Sequence, residues 1–285
     1  MSYLRGVIDQ FIDVVETKKK CTTCQNDCTS TCIDCLNYFN GVPSYDCDYK
    51  RYFYAAKYLY VHKAEVKRLV EDNITEIETF LSYLDNELTI ASFGAGPGSD
   101  TAGILEATMW SSLLDEKHIT LYRIDIEDNW VNQYRHVIDA YIPYLEKDCS
   151  ATISKKKLIT DIGNPKFNLI SSADIVSMSY VMSEMVERHG EQSDRAIIAF
   201  WNKAKKSLSN NAILLINDRP QRNIINSMKL LVNEICSQYP ESYFYDYTFS
   251  SNSYWCKEHF PDEYKQKYQP KLFCSSSQFI VFLKK

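Results

Sequence analysis

Apolar positions along residues 2–17 recur at helical spacing, with Leu4, Ile8, Phe11, Ile12 and Val15 on one stripe, and predict an amphipathic helix. A cysteine-rich segment, 21–47, follows without such periodicity. The next stretch, YDCDYKRYFYAAKYLYVHKAEVKRLVEDNITEIETFLSYL, has few breakers and many helix formers, so it predicts one or two helices. Tyr45, Tyr49, Tyr52, Phe53 and Tyr60 form an aromatic stripe there, which at this spacing packs helices onto a core before it stacks bases.

From residue 88 the pattern changes to short apolar runs alternating with helical stretches. LTIASFG, ITLYRIDI, KKLITDI, ADIVSMSYVMS and AILLIND read as strands, with helices after the glycine loop, around Trp130 to Leu145, and through Ile197 to Leu208. That order predicts a parallel sheet covered by helices on both faces. SYFYDYTFSS and KLFCSSSQFIVFLKK have no long helical pattern between them and predict an antiparallel pair at one edge. The expected fold is therefore α/β, a doubly wound, mostly parallel seven-stranded sheet with an antiparallel C-terminal strand pair. An N-terminal helical, Cys-rich cap is expected over 1–80, and the sheet domain over 81–285.

Composition fits an ordinary globular chain, with 285 residues, 45% hydrophobic and 24% charged. The formal net charge of -5 is not the basic footprint of a simple nucleic-acid binder. Lys18–Lys20, Lys155–Lys157 and the cluster Lys203, Lys205 and Lys206 read as solvated faces. No apolar run approaches bilayer length, and acids interrupt the apolar pattern of the N-terminus, unlike a signal peptide. A soluble, cytoplasmic protein with no membrane partner is expected.

The chemistry concentrates in LTIASFGAGPGSD. A strand ending at Phe93 runs into Gly94, Ala95, Gly96 and Gly98, where glycine permits positive φ and close approach of a ligand; Ser99 or Asp100 then caps a helix running through Thr101 to Trp110. The carboxyl ends of the following strands carry Asp125 and Ile126, then Asp161 and Ile162, then Ser179, Tyr180, Ser183 and Glu184. Ligands of open α/β sheets bind at such ends. A strand-end acid such as Asp125 accepts hydrogen bonds from ribose hydroxyls, with Glu127 and Asp128 as close alternatives. Asp161 with Ile162 suits an adenine amino group and face.

With these residues the chain resembles the class I S-adenosylmethionine-dependent methyltransferases over roughly residues 80–285, the terminal antiparallel pair included. The resemblance implies that FGAGPGSD is the cofactor loop, Asp125 the ribose acid and Asp161 the adenine-side acid. The long spacing from the loop leaves the choice between Asp125 and Glu127 open. SYVMSEM, AFWNKAKKSL with Trp201, and ILLINDRP are similar to the small-ribosomal-subunit methyltransferase-like proteins. The implied activity is methyl transfer, with Glu184 and Tyr180 as candidate catalytic residues and Asp218 with Arg219 as second candidates.

Two other readings stand beside it. A nicotinamide-dependent oxidoreductase uses a similar strand, loop and acid, but in GxGxxG spacing the third glycine falls at Ser99. A noncatalytic assembly factor for a ribonucleoprotein would keep the fold without the chemistry. The acceptor stays open among RNA, protein and small molecules.

Cys21, Cys24, Cys28, Cys32, Cys35 and Cys47 make a dense cluster in which Cys21/Cys24 and Cys32/Cys35 are CxxC pairs. In a reducing compartment this points to a metal, zinc first, with an iron–sulfur cluster as the alternative.

Overall fold

The structure, a computed structural model, describes residues 3–17, 45, 47–125, 128–159, 172–250 and 274–285. Helix α1 (Arg5–Thr17) and the long helix α2 (Asp48–Glu71) precede a short helix α3 (Ile74–Phe80). Alternation then begins with β1 (Glu87–Phe93), α4 (Ser99–Thr108), β2 (His118–Asp125), α5 (Val131–Asp139), α6 (Ile142–Asp148) and β3 (Thr152–Ile159). After β4 (Ala173–Ser179) come α7 (Val181–His189), α8 (Ser193–Ala204), β5 (Leu208–Asp218), α9 (Arg222–Gln238), β6 (Tyr243–Ser250) and β7 (Ser275–Lys284).

The seven strands form one sheet in the order β3-β2-β1-β4-β5-β7-β6. β1 to β5 pair in parallel, and β7 lies antiparallel between β5 and β6. Both features expected of the sheet, the doubly wound order and the terminal antiparallel pair, are present. The order reverses beside β1, whose neighbours are β2 and β4, and this opens a crevice at the carboxyl ends of the strands.

Strand periodicity sorts the core into two layers. Leu88, Ile90, Ile119, Leu121, Ile175, Ile213, Leu215, Ile280 and Phe282 face one layer, shared with α1, α2, α4, α5 and α6. Ala91, Phe93, Ile124, Val176, Met178, Leu214, Ile216 and Val281 face the other, shared with α7, α8 and α9. Tyr49, Phe53 and Tyr60 are buried in the first layer, as the packing reading of the aromatic stripe expects.

Several boundaries differ from the sequence reading for local reasons. α4 begins at Ser99 rather than beyond it, because Gly98 takes the N-cap position with φ 95°. Trp110 lies past the end of α4 and is 79% exposed. The helix expected around Trp130 to Leu145 divides at Ala140–Tyr141, with Pro143 in the first turn of α6. The strand expected over ADIVSMSYVMS stops at Ser179, where Tyr180 turns the chain into α7, and the helix expected through Ile197 to Leu208 is α8, which runs from Ser193 to Ala204. Among the described residues, no helix is long and apolar enough to cross a membrane.

α2 lies close against α4, and Gly103 sets the distance. A Cβ there would stand 2.8 Å from the Lys63 carbonyl oxygen and 3.0 Å from the Lys67 nitrogen. One turn away, Glu106 accepts from Lys63 Nζ at 2.7 Å, Lys67 Nζ at 2.9 Å and the Tyr141 hydroxyl at 3.0 Å. Burial alone would raise the Glu106 pKa, but the two ammonium groups outweigh it and hold the carboxyl below its ordinary value.

Glycine to alanine inside a helix normally stabilises by about 0.5–1 kcal/mol. Gly6, in α1 with nothing within 4 Å of an added Cβ, is expected to follow that rule. Gly103→Ala is expected to reverse it and to cost about 1–3 kcal/mol, because backbone must move. Thermal denaturation of the two variants checks the opposite signs.

Candidate active site

The loop after β1 is shaped by its glycines and tied to β2. Gly94, Gly96 and Gly98 have φ of 61°, 45° and 95°. A Cβ at Gly98 would stand 2.9 Å from the Tyr134 ring, and one at Gly94 3.1 Å from Val181, whereas at Gly96 nothing comes nearer than 3.9 Å. Gly96 therefore needs glycine for its backbone and leaves open space before it. Ala95 N–H donates to the Ile124 carbonyl at 3.2 Å, and Gly96 N–H to Asp125 Oδ2 at 2.7 Å. Asp125, 7% exposed, thus fixes the loop as well as standing at the strand end where a ribose acid is expected. Ile126, Glu127, Asp161 and Ile162 lie outside the described residues, so their expected roles keep only their sequence support.

Beneath the loop runs a polar seam through an otherwise apolar interior. Ser177 Oγ donates to Ser92 Oγ at 2.9 Å, Ser92 meets Thr101 at 2.9 Å, and Thr101 meets the Tyr134 hydroxyl at 3.3 Å. Burial pushes that phenol up to about 12. Asp100 and Ser179 continue the seam, with the Ser179 and Ser177 hydroxyls beside the Asp100 carboxyl. Burial pushes that carboxyl up to about 6, the two hydroxyls oppose the rise, and the neighbouring Glu65 carboxylate adds to it.

Glu65 was not singled out by the sequence, yet it is fully buried on α2 and accepts from three donors. The Tyr180 hydroxyl donates to its two oxygens at 3.0 and 2.8 Å, and Asn217 Nδ2 donates at 3.0 Å. Gln278 Nε2 donates to the Glu65 carbonyl oxygen and to Asn217 Oδ1, both at 3.0 Å. The signal available was position: Glu65 lies four residues from both Val61 and Leu69, on the buried stripe of α2.

Tyr180 caps α7 with φ 62°, a left-handed conformation costly for a bulky residue by about 1–3 kcal/mol. Its backbone N–H donates to the Asn217 carbonyl at 2.8 Å, and its hydroxyl is held by Glu65. Burial, with Glu65 beside it, raises the phenol well above its ordinary pKa. The next turn presents Glu184. Burial pushes its carboxyl up to about 7, with Asp125 and Asp218 adding to the rise and Arg188 opposing it. Asp218 is fully buried at the end of β5 and accepts from Ser183 N–H at 2.9 Å and Arg219 N–H at 2.7 Å, so it anchors the start of α7.

Facing these carboxylates is an aromatic wall from α2 and the chain before α5. Tyr45 and Tyr54 lie 5.3 Å apart, Tyr45 and Trp130 5.0 Å, and Tyr54 and Tyr58 4.8 Å. His62 continues it to Tyr180 at 4.5 Å. Burial, first of all, raises the Tyr45 and Tyr54 phenols, and Glu184 contributes to both. The structure therefore brings the glycine loop, Asp125, Ser179, Tyr180 and Glu184 to one crevice and adds Glu65, Asp100 and Tyr54 to it.

Of the cysteine cluster, Cys21, Cys24, Cys28, Cys32 and Cys35 lie outside the described residues, and Cys47 is buried at the N-cap of α2. Among the described residues no group of three or more His, Cys, Asp or Glu side chains is arranged to hold a metal ion.

No family model and no curated protein matches the chain. Similar solved structures include a methyltransferase from Pyrococcus furiosus, at 10% identity over 74% of this chain and 83% of that one, with TM-score 0.41. Precorrin-6y C5,15-methyltransferase from Geobacter metallireducens is similar at 13% identity over 73% and 87%, with TM-score 0.37. The plantazolicin methyltransferase BpumL, solved with SAH and a triazolic desmethylPZN analogue, is similar at 13% identity over 80% and 97%, with TM-score 0.40. These neighbours are methyltransferases, at an identity and TM-score too low to carry anything about this chain's substrate.

The raised Asp100 pKa has a consequence for stability. A carboxyl whose folded pKa lies above its unfolded value stabilises the fold at low pH and loses that contribution as pH rises through the folded value. For Asp100 the window runs from about 4 to about 6. Asp100→Asn is expected to remove this loss, so its stability relative to wild type rises by roughly 2–3 kcal/mol between pH 4 and 7.5. Urea denaturation of both proteins at the two pH values checks the difference.

Proposed function

We propose that this protein transfers a methyl group from S-adenosylmethionine. The observation that carries the reading is the glycine loop locked to Asp125 at the switch point of a sheet whose β7 runs antiparallel. The three positive-φ glycines let a ligand approach the backbone, and Asp125 stands at the strand end beside it. Asp100 and Ser179, whose buried side-chain oxygens lie together in the seam under the loop, are polar groups that a bound cofactor would engage further. The cofactor's residues would be Phe93 to Gly98, Asp125 and Ser179, with Asp161 and Ile162 on the adenine side as the resemblance implies.

When bound, S-adenosylmethionine supplies a methyl group on a sulfonium sulfur that is already a good leaving group. The protein's tasks are then to align the acceptor, exclude water and accept a proton where the acceptor carries one. Glu184 suits the last task, because its carboxyl, pushed up to about 7, titrates near neutral pH and faces the crevice chemistry of Asp125 and Asp218. Tyr180, with its hydroxyl committed to Glu65, suits the positioning of α7 rather than proton transfer.

A second cofactor rests on the thiol donors of the sequence. Cys21, Cys24, Cys28, Cys32 and Cys35, with Cys47, offer the chemistry of a structural zinc site, and an iron–sulfur cluster is the alternative. Elemental analysis of anaerobically purified protein is expected to find about one zinc per chain. Iron with a visible charge-transfer band identifies the alternative.

Isothermal calorimetry is expected to show one site for S-adenosylhomocysteine per chain that excess NADH does not displace. Gly96→Val, which puts a branched side chain at φ 45° into the open space before the loop, is expected to weaken binding at least about tenfold without unfolding the protein. Displacement by NADH, or no binding by folded wild type, overturns the reading.

A further inference from the structure

The crevice has two walls of unlike chemistry, and together they select an acceptor. One wall carries carboxyl groups from separate elements, Asp125 at the end of β2 and Glu184 on α7, with the buried carboxyls of Asp218 and Asp100 adding to its negative potential. The other is made of ring faces and edges from Tyr45, Tyr54, Tyr58 and Trp130. The two are within electrostatic reach, since Glu184 acts on both Tyr45 and Tyr54, and Asp100 acts on Tyr54. Aromatic faces and carboxylates both attract cations, and each repels or ignores anions.

Lys57 Nζ stands 5.6 Å from the Tyr58 ring centroid, so the rings left for an incoming cation are those of Tyr45, Tyr54 and Trp130. Arg219 pairs with Glu187 at the rim, and Arg188 lies on the same helix. Of the lysine clusters read from the sequence, Lys155, Lys156 and Lys157 are on the sheet-edge strand β3, Lys203, Lys205 and Lys206 precede β5, at the opposite end of that strand from Asp218, and Lys18–Lys20 lies outside the described residues. A phosphodiester backbone would thus meet acids at the crevice, with the lysines of β3 and those before β5 away from it.

We propose that the methyl acceptor is an aliphatic amine, an ammonium ion in solution, bound between the aromatic wall and the carboxylates with Glu184 as its proton acceptor. The proposal rests on the methyl-transfer reading above and names the substrate class of that same site. In the step, the ammonium N–H bond breaks and its proton passes to the Glu184 carboxylate. The freed nitrogen lone pair forms a bond to the methyl carbon as the carbon–sulfur bond breaks, its electron pair staying on sulfur. The products are the N-methylated ammonium, neutral thioether and protonated Glu184, which returns its proton to solvent.

Glu184 faces Asp125 and Asp218 from the sheet, Tyr45 and Tyr54 from the aromatic wall, and Arg188 and Glu187 on its own helix. An incoming ammonium adds a positive charge to that mainly acidic set and favours the ionised form of Glu184.

The test uses the full chain with methyl-labelled S-adenosylmethionine and a panel of probes: cadaverine, Nα-acetyl-lysine amide and tyramine as amines, against a phenol, a carboxylic acid and a structured RNA. Calorimetry with S-adenosylhomocysteine runs in parallel. The expected result is label in the amines alone, with a rate that rises through about pH 7. Glu184→Gln is expected to lose this break and at least about a hundredfold in rate while still binding S-adenosylhomocysteine. Tyr54→Leu is expected to raise KM for the amine with kcat nearly kept. Binding of S-adenosylhomocysteine with label in RNA, phenol or acid, or in no amine, overturns the amine assignment alone. Failure of S-adenosylhomocysteine to bind overturns the methyl-transfer reading and the assignment with it.

Discussion

The buried carboxylate of Glu65 is the constraint around which the candidate site is arranged. A carboxylate removed from water is costly unless hydrogen bonds replace its hydration. Here the Tyr180 hydroxyl and the Asn217 amide supply them, and the same backbone carbonyl region takes Gln278. Those partners stand at the end of β4, on β5 and on β7, so Glu65, through its side chain and its carbonyl oxygen, ties α2 to three strands at their functional edge. Removing it would strand the Tyr180 and Asn217 donors in the interior, a penalty larger than the net worth of the bonds. The strained φ of Tyr180 persists because its hydroxyl and its backbone N–H are both held.

From that anchor the rest of the edge follows. Tyr180 sets where α7 begins, Asp218 holds its first turn through Ser183, and Glu184 is thereby turned towards Asp125. Asp125 in turn holds Gly96, which shapes the loop. The close approach of α2 to α4 at Gly103 keeps Glu65 at the depth this chain of contacts needs, and the Lys63–Glu106–Lys67 cluster neutralises the charges buried at that contact. Raised carboxyl pKa values at Asp100, Glu184 and Asp218 are the electrostatic result of crowding acids where water is scarce.

Much of this was legible before folding was considered. The alternation of apolar runs from residue 88 marked strands that the sheet contains, and the terminal pair was readable because β6 and β7 carry β-branched and aromatic residues with no helical period. The glycine loop was legible for a local reason: positive φ is a property of the residue itself. Asp125 was legible as a strand-end acid, although its bond to Gly96 was not. Glu65 was hidden because KAEVKRLVE reads as a solvated, charged helix face unless one asks which stripe position 65 occupies. Asp100 read as a helix cap, whereas Gly98 takes that position and leaves Asp100 buried in the first turn. The aromatic stripe divided, with Tyr49, Phe53 and Tyr60 in the core and Tyr45 beside Tyr54 and Trp130 in the wall.

By itself the sequence determined the layers, the strand alternation and the place of the ligand loop, because periodicity and backbone freedom are carried by neighbouring residues. Which acids are buried, which tyrosine is a strut and which rings face the crevice were decided only by the tertiary structure. Burial and electrostatics depend on atoms that meet in space: Gln278 donates to a residue 213 positions away, and Tyr180 to the same residue across 115. No local pattern encodes such a meeting, and the chemistry of Glu184 is set by it.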